Sequence, residues 1–112
     1  MNLREAFDIL NVMIPIKDQE EIKTSPDLEK MSHFGFGQWI RNNLHLWEDN
    51  GTQAIVQDIL ALPNHNKYTT GFVLPGQPPL REHVDDTLVH PDNCSHVIIQ
   101  IYRDYLNGLI HI

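Results

Sequence analysis

The sequence predicts a mainly α-helical fold, a small single domain over residues 1–112 with four to five helices and an irregular insertion at 63–79. Three observations predict this fold class. Apolar residues recur at intervals of three and four in several segments, which is the periodicity of a helix with one buried face. Helix start and stop signals flank these segments. The 112 residues are also enough to bury one cooperative core without disulfides.

The first helix is predicted to end at about residue 14, because Pro15 cannot continue it. Its apolar stripe consists of Leu3, Ala6, Phe7, Leu10 and Met13. Residues 17–23 are mostly charged, which is typical of a solvated connector or a short exposed helical turn. The Ser-Pro-Asp sequence at 25–27 is a helix start signal and predicts a short helix over 26–32.

The third helix is the predicted core helix. Gly35 and Gly37 are expected to bend the chain before it, and the Asp-Asn-Gly sequence at 49–51 is expected to end it. One face of this helix carries Trp39, Ile40, Asn43, Leu44 and Trp47. Both tryptophans are expected to anchor the packing, since each buries on the order of 200 Å². Thr52 is expected to cap a fourth helix, which Pro63 ends.

The insertion at 63–79 contains four prolines and two glycines, so no helix is expected there. Within it, residues 68–74 are rich in β-branched and aromatic types, which fits a short strand or one arm of a β hairpin. Residues 80–88 predict a short helix. A His-Pro-Asp sequence opens the last helix with Asp92 as its expected cap, and Gly108 is the expected stop.

The charge balance narrows the classes of function. Eight Lys and Arg residues against 15 Asp and Glu residues give a net charge of −7. Because nonspecific nucleic-acid binding depends on clustered Lys and Arg, no direct nucleic-acid partner is expected. The sequence lacks a signal-peptide pattern and any apolar run near the roughly 20 residues that cross a bilayer. With one cysteine as well, a cytoplasmic protein without a membrane partner is expected.

Two sequence blocks carry a family resemblance. One is HFGFGQWIRNN at 33–43, followed by Leu46-Trp47, and the other is the His-Pro-Asp sequence at 90–92. Together they resemble a family of small uncharacterised bacterial domains with an H-F-G-x-G-x-W-[IL]-R-N core and a later H-P-D-D segment. The resemblance implies a helical bacterial domain without an established activity. The motif positions expected to be structural are His33, Gly35, Gly37, Trp39, Arg41, Asn43, Trp47, His90 and Asp92.

The sequence departs from the family pattern at Asn93, where a second aspartate is common, and at the insertion. The insertion suggests a binding specialisation of this member. Arg41 is expected to pair with Asp92 and so to hold the two blocks together, while Asn43 is expected to tie the third helix to another segment. The alternative for Arg41 is a ligand pocket in which its guanidinium receives an anion.

The histidines and the cysteine do not form a recognisable catalytic or metal motif. His83, His90, Cys94 and His96 are close in sequence, but their spacing lacks the pattern of a closed zinc site. No metal, cofactor or catalytic residue is expected. Cys94 is interpreted as a small buried or half-buried thiol, and His96 as an exposed residue of the first helical turn.

The remaining candidates are acidic groups, which are either a solvated face or a surface that attracts a basic partner. Tyr68 and Phe72 are expected to be exposed and to anchor such a partner. The acidic candidates are Asp18, Glu20, Glu21, Glu48, Asp49, Glu82, Asp85 and Asp86.

The favoured hypothesis is a noncatalytic bacterial protein-binding module. Its concrete form is an immunity or antitoxin-like protein that blocks a basic toxin, such as a nuclease, by acidic surface complementarity. One alternative is a small-ligand sensor or enzyme with a pocket around Arg41, His33 and His90. Another is a structural accessory subunit, for which a large apolar patch and a stable oligomer are expected.

Overall fold

The computed structural model describes residues 1–24, 36–48, 51–63, 65–69 and 90–111. The fold is mainly helical, as predicted. The helices are α1 (Leu3–Met13), α2 (Ile16–Thr24), α3 (Phe36–Asn43), α4 (Gln53–Ala61), α5 (Asn66–Thr69) and α6 (Pro91–Leu106). The helices predicted over 26–32 and 80–88 lie outside the described residues.

Helix α1 begins with a capping box. The Asn2 side chain accepts a hydrogen bond from the Glu5 backbone N–H at 2.8 Å, and Glu5 accepts one from the Asn2 backbone at 3.2 Å. Asp58 on α4 accepts a bond from the Leu3 backbone N–H at 2.9 Å, which places a carboxylate at the positive end of α1. The predicted end before Pro15 is confirmed, and the predicted stripe is buried except for Met13.

Helix α2 is longer than the expected connector or single turn. Ile22 is buried and gives this charged segment one apolar contact with the core. The Gln19 side chain donates to the Ile14 carbonyl at 2.9 Å, and the Asn107 side chain donates to the Lys23 carbonyl at 3.1 Å. These two bonds tie α2 to the end of α1 and to the chain after α6.

Helix α6 is the central helix of the core. Its buried residues are Cys94, Ser95, Val97, Ile98, Ile99, Ile101, Tyr102 and Asp104. Helices α2, α3 and α5 pack against it, and α1 packs against α4. The Phe7 ring of α1 meets Tyr102 edge to face, with centroids 5.2 Å apart. This contact joins the α1–α4 pair to α6.

The N-cap residue of α6 differs from the predicted one. The helix begins at Pro91, and the His90 carbonyl accepts a bond from the Cys94 backbone N–H at 2.9 Å, so His90 and not Asp92 is the N-cap residue. Proline suits the first helical position because it has no N–H to leave unpaired. At the other end, Gly108 has a φ of 74° and the Leu109 N–H bonds to the Asp104 carbonyl, so the predicted stop is confirmed.

The insertion contains a helical turn where no helix was expected. Residues 66–69 form α5, so the predicted strand is wrong for residues 68 and 69, and the rest of the predicted strand, 70–74, lies outside the described residues. Helix α5 packs on α6, and the burial of Tyr68 between them outweighs the strand preference of its sequence.

Candidate protein-binding surface

The chain between α3 and α4 reverses direction and leaves Trp47 in solvent. His45 has a φ of 56°, and the Leu46 N–H bonds to the Arg41 carbonyl at 3.0 Å, as in a helix end where glycine usually stands. The reversal buries Leu46 and leaves Trp47 57% exposed. The prediction that Trp47 anchors the core is therefore wrong, because α3 ends before the helical face reaches it.

Trp47 contacts the first residue of the second sequence block. Its ring and that of His90 lie 6.1 Å apart between centroids with their planes at 80°. His90 is exposed, and so are His45 and Glu48, whose Nδ1 and Oε1 atoms are 3.2 Å apart. We call His45, Trp47, Glu48 and His90 the Trp47 surface. It joins the two sequence blocks on the outside of the domain.

Gly51 closes the turn that carries this surface. Its N–H donates to the Glu48 carbonyl at 2.9 Å, and a Cβ at this position would lie 2.4 Å from the His45 carbonyl oxygen. Replacing Gly51 with alanine is therefore expected to lower the free energy of unfolding by about 1–3 kcal/mol, measured by urea denaturation. Gln53→Ala on the exposed face of α4 is the control and should change it by less than about 0.5 kcal/mol. Equal stability of the two variants would contradict this close approach.

Arg41 joins the first sequence block to α6 on the inside of the domain. Its Nη1 donates to Oγ of Ser95, a buried residue of α6, at 3.1 Å. Nothing in the sequence pattern marks Ser95 as the partner of Arg41. The side chain of Asp92, the expected partner, lies outside the described part of the structure.

The predicted roles of the other motif residues are wrong for Asn43 and Gly37 and confirmed for Trp39. Asn43 was expected to tie α3 to another segment, but its amide donates to the Trp39 carbonyl of the same helix at 2.8 Å. Gly37 was expected to bend the chain, but it is buried inside α3, which begins at Phe36. Trp39 is half-buried against the core, as its predicted packing role requires. His33 and Gly35 lie outside the described residues.

The structure places four of the predicted acidic residues on the surface. Asp18, Glu20 and Glu21 are exposed on α2, and Glu48 is exposed on the Trp47 surface. The first three lie close together in sequence, whereas Glu48 lies on a different segment of the chain. The predicted binding residues that lie outside the described ranges are Asp49, Phe72, Glu82, Asp85 and Asp86.

Tyr68 is buried, so the prediction that it is an exposed anchor is wrong. Its hydroxyl donates to Oδ2 of Asp104 on α6 at 2.6 Å, and Lys67 Nζ donates to the same oxygen at 2.7 Å. Burial raises the pKa of Tyr68, and the adjacent carboxylate raises it further. Burial also favours a higher pKa for Asp104, but the bonds from Lys67 and Tyr68 outweigh it and hold that pKa below its usual range. These contacts fasten α5 to α6.

Asp104 and Asp58, which no sequence motif marks, are structural carboxylates. Asp104 is buried between α5 and α6, and Asp58 is bound to the start of α1. Asp104 lies three residues after Ile101, at the edge of the apolar stripe of α6, and this position is the signal that would have identified it, because a buried carboxylate requires partners. Because both carboxylates are bound to other parts of the chain, only the remaining acidic side chains are available to bind a partner.

The chemistry of the remaining candidates is limited by burial. Cys94 is fully buried, as expected, and burial raises the pKa of its thiol to about 12, far from that of a reactive thiolate. His96 is half-buried rather than exposed, and its Nε2 lies 2.6 Å from the amide nitrogen of Gln100. Among the residues that the structure describes, no group of three or more His, Cys, Asp or Glu side chains is arranged to hold a metal ion.

Comparison with known proteins gives a family and no activity. Within the described ranges, no helix combines the length and the apolar character needed to span a membrane. Neither the curated proteins nor the solved structures contain a match to the chain. The model of one family, described as a domain of unknown function (DUF6794), matches residues 1–75, which include α1 to α5. The chain therefore belongs to the DUF6794 family.

Proposed function

We propose that this domain is a noncatalytic protein-binding module, in the form of an immunity or antitoxin-like inhibitor that blocks a basic toxin such as a nuclease. The observation that carries the proposal is the exposure of Trp47 beside the exposed carboxylate of Glu48. Tryptophan is enriched among the residues that dominate binding energy at protein interfaces. Its ring face also attracts the cationic side chains of a basic partner.

The turn under Trp47 supports a binding role because it limits the freedom of this exposed ring. The left-handed His45, the close approach of Gly51 to the His45 carbonyl and the ring of His90 against Trp47 each restrict this turn. A preorganised aromatic side chain loses less conformational entropy on binding than a mobile one. A tryptophan held in this way is suited to anchor a partner.

The charge supports a basic partner. The net charge is −7, and the exposed acids on α2 and at Glu48 contribute to a negative field that accelerates encounter with a positive protein. Such an inhibitor acts by occlusion, because its carboxylates occupy the positions that substrate phosphates would take on a nuclease. No reacting group of the inhibitor is required.

The test begins with capture of partners from an extract of the organism that encodes the chain, at about 50 mM and about 500 mM salt. A basic protein retained at low salt and released at high salt is expected, and its toxicity on expression alone should be relieved by coexpression of the domain. The absence of any basic protein at either salt concentration would overturn the proposal, as would a captured protein that shows no toxicity.

With that partner purified, Trp47→Ala is expected to weaken binding by about 30-fold or more, measured by isothermal titration calorimetry. Glu48→Gln should mainly lower the association rate and its salt dependence. Leu109→Ala is the control, since Leu109 is also an exposed apolar residue but follows α6. Unchanged affinity for Trp47→Ala would show that the partner binds elsewhere.

A further inference from the structure

Three large apolar side chains are exposed at the corner between α1 and α2. Val12 is 86% exposed, Ile16 is 76% exposed and Met13 is 47% exposed, whereas Ile14 between them is buried. We call Val12, Met13 and Ile16 the corner patch. Within the part of the chain that the structure describes, these three side chains do not belong to the buried core, and an exposed apolar patch on a folded protein often marks a binding site.

The corner that carries the patch is fixed at several points. The Gln19 side chain bonds to the carbonyl of Ile14, which α1 leaves without a helical partner. Ile22 is buried in the core, and Asn107 holds the end of α2 through the carbonyl of Lys23. The exposed side chains therefore stand on an anchored backbone rather than on a fraying helix end.

Carboxylates flank the corner patch on both helices. Asp8 precedes Val12 by four residues on α1, and Glu20 follows Ile16 by four residues on α2, and both are exposed. Residues four apart on a helix are neighbours on one face. Lys17, which directly follows Ile16, is exposed as well. The surface therefore has an apolar centre and a charged rim with one of these two carboxylates on each helix, as in an interface with an apolar core and a polar rim.

We propose that the corner patch binds an amphipathic basic helix of the partner. The apolar face of that helix covers Val12, Met13 and Ile16, and its Lys or Arg residues pair with Asp8 and Glu20. A second copy of this chain would bring another net charge of −7, and an anionic membrane surface would also repel these carboxylates. The inference rests on the proposed function for the basic character of the partner, and it assigns a surface separate from Trp47.

The probe is a synthetic helical peptide of about 18 residues with leucines on one face and lysines on the other, compared with a scrambled peptide of the same composition. The full chain is expected to bind the amphipathic peptide at least about tenfold more tightly than the scrambled one by calorimetry, with a shift of the Met13 methyl signal in NMR. Val12→Ser and Ile16→Ser should each weaken binding by about tenfold. Leu109→Ser, which removes an exposed apolar side chain elsewhere, should leave it unchanged.

Equal binding of the two peptides, or an unshifted Met13 methyl signal, would overturn the proposal. Self-association of the chain that Ile16→Ser abolishes would also overturn it by identifying a second copy as the occupant, and binding to anionic lipid vesicles would do so in favour of a membrane. Capture of the basic partner by variants of each surface distinguishes the corner-patch proposal from the proposed function. Loss of capture with Trp47→Ala but not with Ile16→Ser would leave the proposed function standing without the corner patch.

Discussion

Replacing Tyr102 with alanine is expected to lower the free energy of unfolding by about 3–5 kcal/mol, the range for removing a buried aromatic side chain. Tyr102 is fully buried on α6, where its ring packs on Phe7 at 5.2 Å between centroids. Its hydroxyl donates to Oδ1 of Asn11 at 2.9 Å. The variant therefore leaves a cavity and also removes one of the two α6 rings, Tyr102 and Tyr105, that pack on Phe7 of α1. Urea denaturation followed by circular dichroism measures the loss.

Tyr102→Phe is the matched control because it keeps the ring and removes only the hydroxyl. It should cost about 1 kcal/mol, the net value of one hydrogen bond. If Tyr102→Ala cost no more than Tyr102→Phe, the ring would contribute little and the description of α6 as the central helix would be wrong.

Replacing Asp104 with alanine is expected to cost about 2–3 kcal/mol at neutral pH, because the buried Tyr68 hydroxyl loses its acceptor and Lys67 loses its carboxylate. Tyr68→Phe should cost about 1–2 kcal/mol, and Lys67→Ala less than about 1 kcal/mol, since the Lys67 side chain is 58% exposed. The double variant Asp104→Ala with Tyr68→Phe should cost less than the sum of the two single changes. Additive costs would contradict a direct contact between the two side chains.

The same carboxylate should make stability depend on acid pH. The pKa of Asp104 is lowered by folding, so its contribution is complete above the unfolded value of about 3.9 and is lost as the pH falls through the lower folded value. The stability difference between the wild-type chain and Asp104→Asn should therefore be constant above about pH 5 and shrink below about pH 4. A difference that stays constant on acidification would show that Asp104 does not carry a lowered pKa.

The sequence predicts the helices with a regular apolar stripe and clear end signals. The ends of α1 before Pro15 and of α6 at Gly108 follow from residues that local geometry alone constrains. The helical state of α2 could not be predicted with the same ease. It depends on a single buried residue, Ile22, and on one side-chain hydrogen bond from distant Asn107, which no local pattern indicates.

Two aromatic residues differ from their predicted positions: Trp47, expected in the core, is exposed, and Tyr68, expected as an exposed anchor, is buried. Helical periodicity places Trp47 on the apolar face of α3 only if α3 continues to it, and the left-handed His45 ends the helix first. The composition around Tyr68 indicates an irregular exposed segment, whereas its partner Asp104 stands 36 residues away in sequence. The end of α3 at a left-handed His45 and the contact between Tyr68 and Asp104 could therefore not be predicted from helical periodicity or from composition.

The contacts of α6 set the limits of the folding unit. The family match ends at residue 75, yet α2, α3 and α5, which all lie within it, rest on a helix that begins at Pro91. The matched segment alone would present the buried side of α3 and the Tyr68 hydroxyl to water. In this chain the residues that the family model matches are therefore only part of the residues that fold together. A domain boundary drawn at residue 75 would cut through the core.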